Sequence, residues 1–142
     1  MSNTDVKAVV MGWTEALNRH DAEAAAAYWS EDGVFTNMGT GQRVVGRDAI
    51  RDNHAGTFAM WSEARWEKSS FLVGENGAFA DEWICTGLHT GDAPGLPATG
   101  KPFRILGGAV GEVRDGKIVR NTVYWNMADF LTQIGVLPPP AG

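Results

Sequence analysis

Three histidines, one cysteine and a scatter of carboxylates are the groups in this chain that could move protons or hold metal. His20, His54 and His89 lack the i, i+4 spacing of a local metal pair, and a lone Cys85 offers neither a disulfide nor a thiolate zinc set. No metal site is therefore expected. There is no Gly-x-Ser-x-Gly elbow and no phosphate-cradling loop ending in Lys-Ser or Lys-Thr. Gly107-Gly108-Ala109-Val110-Gly111 runs into another strand instead of a helix, so it is not a dinucleotide fingerprint. What remains is acid–base work by an imidazole or a carboxylate. His89 stands out, because strict alternation puts Phe79, Asp81, Trp83, Cys85, Gly87 and His89 on one strand face, and an imidazole titrates near neutrality. The same place at a strand end also suits a histidine that ties down the following loop. Asp81 shares the face but lies nearer the Asn76-Gly77 turn and is expected to be solvated. His54 falls in the apolar row of a helix, where a hydrogen-bonded core histidine is the commoner finding, and His20 looks like a capping or solvent residue.

These residues need a frame, and the frame is a hairpin. Two strand-like runs between Thr99 and Trp125 are joined by Asp115-Gly116, the strongest short hairpin signal, because both turn positions tolerate positive φ. Upstream, Asp5 is expected to cap a first helix with Val6, Val9, Val10, Trp13 and Leu17 on one stripe. Asp21 then caps a second helix from Ala22 to about Trp29. Ser30-Glu31-Asp32-Gly33 reads as its stop, followed by a short strand Val34 to Asn37 and another at Arg43 to Val45. Gly46-Arg47-Asp48 opens a third helix with Ile50, His54 and Phe58 in register, ending near Trp61. Ala64 to Val73 and Ala78 to His89 form a hairpin about Asn76-Gly77, Thr90 to Gly100 is a loop, and Asn126 with Asp129 starts a last helix that Gly135 ends. The order α-α-β-β-α-β-β-β-β-α, helices early and long antiparallel strands late, is that of an α+β domain whose curved sheet folds around helices.

Size and charge narrow the partners. At 142 residues and 44% hydrophobic content the chain fits one domain, residues 1–142, with a proline-rich tail from about 136. A net charge of -5 without any Lys/Arg cluster argues against nucleic acid. No run of eighteen apolar residues argues for a membrane span, and the N-terminal residues do not read as a secretion signal, so a cytoplasmic protein is expected. Six tryptophans and six phenylalanines are enough to fill a core and also to line a cavity for an apolar small molecule.

Four segments together resemble the SnoaL-like polyketide cyclases of the nuclear transport factor two superfamily. They are Trp13 to Trp29 with its Asn18-Arg19-His20-Asp21 joint, Gly46-Arg47-Asp48-Ala49-Ile50, Gly87-Leu88-His89-Thr90-Gly91 leading to Pro97-Ala98-Thr99-Gly100-Lys101, and Arg114 to Val119 running on to Tyr124-Trp125-Asn126-Met127-Ala128-Asp129. The resemblance implies a cone-shaped antiparallel sheet wrapped on N-terminal helices around a deep apolar pocket, and aldol ring closure without metal or organic cofactor. Such a closure needs a base and a donor for the enolate oxygen in a dry site. His89 is the expected base and Asn121 the expected donor. The expected pocket lining is Trp13, Tyr28, Phe35, His54, Phe58, Trp83, Cys85, Ile105, Val123 and Trp125. The last strand, where the cyclases commonly carry an aspartate, has no carboxylate here, and the glycines of 107–111 suggest a wider pocket or a sharply bent strand. A non-catalytic binding protein for an apolar small molecule is the alternative. The resemblance further implies a homodimer through the sheet, with Glu82, Ile84, Arg120, Thr122 and Tyr124 as the patch.

Overall fold

The computed structural model describes residues 2–141. Its elements are α1 (Asn3–Asn18), α2 (Ala22–Ala26), β1 (Trp29–Asn37), β2 (Gln42–Val45), α3 (Arg47–Met60), β3 (Trp61–Val73), β4 (Ala78–His89), β5 (Pro102–Arg114), β6 (Lys117–Trp125) and α4 (Met127–Gln133), in the order expected. The fold is α+β, with the N-terminal helices against one face of a six-stranded sheet ordered β2-β1-β6-β5-β4-β3. Four of its pairings are antiparallel and one, β1 with β6, is parallel, so the sheet is mixed. That parallel pairing sets Phe35 beside Asn121.

Local chemistry explains the boundaries. Ser2, not Asp5, caps α1: the Ser2 hydroxyl accepts from the Asp5 N–H at 3.2 Å, and the Asp5 carboxylate accepts from the Ser2 N–H at 3.1 Å. These bonds from Ser2 pull the Asp5 carboxyl below its usual range. Asp21 caps α2 as expected, accepting from the Ala24 N–H at 3.0 Å. The helix, however, ends at Ala26, and Trp29 opens β1. Ser30 to Gly33 is part of that strand and not a stop, because a shift in the β1–β6 register between Trp29 and Val34 absorbs the extra residues. Both tight turns have the backbone their residues demand, with positive φ at Asn76, Gly77, Asp115 and Gly116.

The core lies between α1 and the inner face of the sheet. Val6, Val10, Trp13 and Leu17 bury one stripe of α1, whereas Val9 stays partly exposed. On β4 the alternation holds along the strand: Phe79, Asp81, Trp83, Cys85 and His89 are buried. The inward glycines of β5 do not widen the space. A Cβ at Gly107 would collide with the Trp83 ring, and one at Gly111 with the Phe79 ring, so these positions are emptied to let aromatic side chains lie across the strand.

Candidate functional site

A cavity of about 540 Å³ opens between α1, α3 and the inner sheet face. Of the side chains expected to line it, Trp13, Phe35, His54, Phe58, Trp83, Val123 and Trp125 do, as does Asn121. Tyr28, Cys85 and Ile105 do not. The Tyr28 ring lies against Gly12 of α1, where any side chain would strike it. Cys85 and Ile105 are partners on β4 and β5 and are fully buried in the core, and burial pushes the Cys85 thiol up to about 12.

His89 also lies outside the cavity lining, behind a wall of aromatic rings of which Trp61 and Phe130 face the cavity. The Phe103 ring lies over Gly87, and the Trp61, Phe103 and Phe130 rings meet at centroid distances of 4.7 to 5.2 Å. His89 is fully buried against Phe130, its Nδ1 accepting from the Thr99 N–H at 3.2 Å and lying 3.0 Å from the Thr99 hydroxyl. Backbone bonds join His89 to Gly100 and Lys101, and Thr90 and Gly91 to Met60. The imidazole is therefore the anchor of the 90–100 loop, which sends Ala93, Pro94 and Leu96 over the cavity. Burial lowers its pKa, with nearby Asp92 opposing.

Inside the cavity the chemistry belongs to other groups. The Trp13 indole N–H donates to His54 Nε2 at 3.1 Å. An indole can only donate, so Nε2 must be unprotonated and the neutral ring carries its hydrogen on Nδ1. Burial lowers the His54 pKa to about 4, so near neutrality this histidine is a hydrogen-bond donor and not a base in waiting. Its ring packs between Trp13 and Phe35, with centroids 5.8 and 5.6 Å away.

Lys68 of β3 also lines the cavity. Its Nζ stands 3.1 Å from Asp81 Oδ2 and 5.8 Å from the centre of a Trp13 ring, with side-chain exposures of 8% for Lys68 and 0% for Asp81. Asp81 was expected in solvent. It is instead the buried counter-ion of a lysine. Burial lowers Lys68 and raises Asp81, each against the partner's charge, which narrows the gap between the ion pair and its neutral form. Neither Asp81 oxygen has a hydrogen-bond partner among the described residues, so the contact with Lys68 is an ion pair by distance alone.

Asn121 completes the set. It is fully buried, and neither its Oδ1 nor its Nδ2 has a partner among the described residues. An unmatched amide in a core costs about 1–3 kcal/mol, and this one belongs to a residue that lines the cavity. Sequence reasoning missed Lys68, because counting back from the Asn76-Gly77 turn sets Phe71 opposite Asp81, and only a register shift between Lys68 and Ser70 then sets Lys68 opposite Trp83. Among the described residues no three His, Cys, Asp or Glu side chains converge on a point. No helix there is long and apolar enough to cross a membrane.

The sequence profile of the SnoaL-like polyketide cyclase family matches residues 7–134. No curated protein sequence matches. Among solved structures, a candidate polyketide cyclase from Xanthomonas campestris pv. campestris is similar at 28% identity over 93% of this chain and 98% of its own, with a TM-score of 0.79. IdmH, a candidate polyketide cyclase from Streptomyces antibioticus, is 24% identical over 92% of this chain and 99% of its own, with a TM-score of 0.78. A protein of ketosteroid isomerase-like fold from Catenulispora acidiphila, solved with trimethylamine, is 21% identical over 91% of this chain and 93% of its own, at a TM-score of 0.80.

Proposed function

Because the chain belongs to the SnoaL-like polyketide cyclase family, we propose that it is a small-molecule enzyme performing cofactor-independent acid–base chemistry on an apolar carbonyl compound held in the cavity. The observation that carries this reading is that an orphaned amide, Asn121, and a lysine held by a buried carboxylate, Lys68, line the same cavity of tryptophan and phenylalanine. Removing a proton beside a carbonyl leaves charge on the carbonyl oxygen. Asn121 Nδ2 and the His54 Nδ1–H are the donors for that oxygen, and dry walls strengthen both bonds. The Lys68–Asp81 pair is the proton carrier, since burial disfavours the charged form of both groups and so brings the neutral pair nearer to the ion pair. His89 has no part in this chemistry beyond holding the loop.

The test is exchange of the α-hydrogens of 2-tetralone, an apolar bicyclic ketone, followed by NMR in D2O. Wild-type protein should accelerate exchange, and Asp81→Asn and Asn121→Leu should each reduce it by about tenfold or more, the scale of one positioned acid–base or donor group. Ketone that binds, quenches tryptophan fluorescence and returns without exchange would make the chain a non-catalytic binding protein for apolar ligands. The same reading includes a homodimer through the outer sheet face, where Leu106, Val110 and Tyr124 are exposed beside Glu82, Arg120 and Thr122. It also places the protein in a reducing compartment such as the cytoplasm, which suits a single buried cysteine.

A further inference from the structure

Lys68 is the one lysine inside the molecule. The other three, Lys7, Lys101 and Lys117, lie at exposed positions. Its Nζ reaches the cavity past the Trp13 face while Asp81 holds it from behind at 3.1 Å, and no oxygen of another acidic residue lies within ion-pair distance of it among the described residues. A primary amine at the wall of an apolar chamber, with one carboxyl group able to take and return its proton, is the arrangement that lets a lysine act as a nucleophile.

We infer that Lys68 forms a covalent imine with a ketone or aldehyde bound in the cavity. This rests on the carbonyl substrate class of the proposed function and deepens it. The ammonium passes a proton to the Asp81 carboxylate, and the free Nζ lone pair then forms a bond to the carbonyl carbon as the C=O π pair moves onto oxygen. A proton moves from the new N+H2 group to that oxygen, giving a neutral carbinolamine. Asp81 then returns its proton to the same oxygen as the nitrogen lone pair forms the C=N bond, the C–O bond breaks and water leaves. The product is a protonated imine, with Asp81 again a carboxylate beside it. In sum, the ammonium and the carbonyl compound give an iminium and one water, with no change of oxidation state. An iminium draws electrons from the neighbouring C–H bond more strongly than a ketone does. This supplies activation that a last strand without a carboxylate does not.

Burial lowers Lys68 against the attraction of Asp81, and each tenfold gain in free amine is matched in nucleophile supply. The experiment is reductive trapping on the intact protein. Wild-type chain at pH 7 is incubated with 2-tetralone and sodium cyanoborohydride, and the adduct is mapped by peptide mass. The expected result is a single adduct on Lys68, about tenfold or more above any other lysine. Lys68→Arg, which keeps a cation beside Asp81, should abolish it with far-ultraviolet circular dichroism unchanged, and Lys7→Arg should leave it intact. Adducts spread evenly over Lys7, Lys101 and Lys117 would overturn the inference. So would ketone that quenches tryptophan fluorescence or exchanges its α-hydrogens without any adduct, a result that leaves the proposed acid–base function standing. Absence of quenching, exchange and adduct together would overturn both.

Discussion

Acidification should unfold this protein through His54, and the size of the effect follows from where the ring sits. His54 is buried against Trp13 and Phe35, and its Nε2 is committed to the Trp13 indole hydrogen, so a proton can be added only by breaking that bond or charging a dry site. Its pKa falls from 6.5 to about 4 in the folded chain. Between those values the unfolded chain binds a proton that the folded chain refuses, so stability falls as pH falls. At about 1.4 kcal/mol per pH unit, the loss is roughly 3 kcal/mol between pH 7 and pH 4, and the slope from His54 fades away below that. The measurement is urea denaturation followed by tryptophan fluorescence at half-unit steps from pH 7.5 to 4, on wild type and on His54→Gln. The glutamine amide oxygen can still accept from Trp13 but cannot titrate in this range. His89, also lowered by burial, contributes in the same direction, and Asp81, raised by burial, in the opposite one. Both are present in each protein and drop out of the difference. The variant should lose about 3 kcal/mol less than wild type across the window. Parallel curves, or a histidine ring signal at 54 titrating near 6.5 by NMR, would refute the placement of His54 as a neutral donor.

Three further outcomes are open to measurement. Lys68→Met leaves Asp81 as an unpaired buried carboxylate and should cost about 3–5 kcal/mol, read by urea denaturation. The double variant Lys68→Met/Asp81→Leu should recover most of that loss, and equal instability of the two would show that the pair is not the source. Asn121→Leu removes an unsatisfied amide, so it should hold or raise the melting temperature, on the scale of about 1–3 kcal/mol, while cutting α-hydrogen exchange. A marked loss of stability would mean that the amide has a structural partner. Sedimentation at micromolar concentration should show a dimer that Tyr124→Asp together with Leu106→Asp converts to monomer, since both side chains lie exposed on the outer sheet face. A wild-type monomer would remove that surface from the account.

The elements were legible because their signals are local. Asn76-Gly77 and Asp115-Gly116 fix two turns by backbone sterics alone, and the alternation of β4 runs undisturbed from Phe79 to His89. The first helix cap lies three residues before the expected one for a related reason: in a capping box Ser2 and Asp5 each hydrogen-bond the other's backbone, and the sequence shows both without saying which is outside the helix. Trp29 was read into α2 because bulk and apolarity suit a helix end and a buried strand equally. Only its pairing with Ile118, far along the chain, decides for the strand.

The site was harder to read because it depends on irregularity and on distance. Two breaks in the β3–β4 register, between Ser62 and Arg65 and between Lys68 and Ser70, shift which residues of β3 face inward, so Ala64, Trp66 and Lys68 point to the core side and then Phe71 and Val73. Alternation carried unbroken from Val73 would have put Lys68 in water, and a lone lysine in a strand is normally taken for a solvated one. Asp81 has the opposite fault: by parity it faces inward, but by residue type it belongs in solvent, and the structure follows parity. Each residue alone looks misplaced, and only together do they neutralise one another. His89 carried the most persuasive local signals, an inward face and a usable pKa, yet neither says whether the space it faces is empty. Glycine is what decides that. At 87 it admits the Phe103 ring, which packs with Trp61 and Phe130 into a wall that shuts His89 off, while the chamber stays open at Lys68, His54 and Asn121.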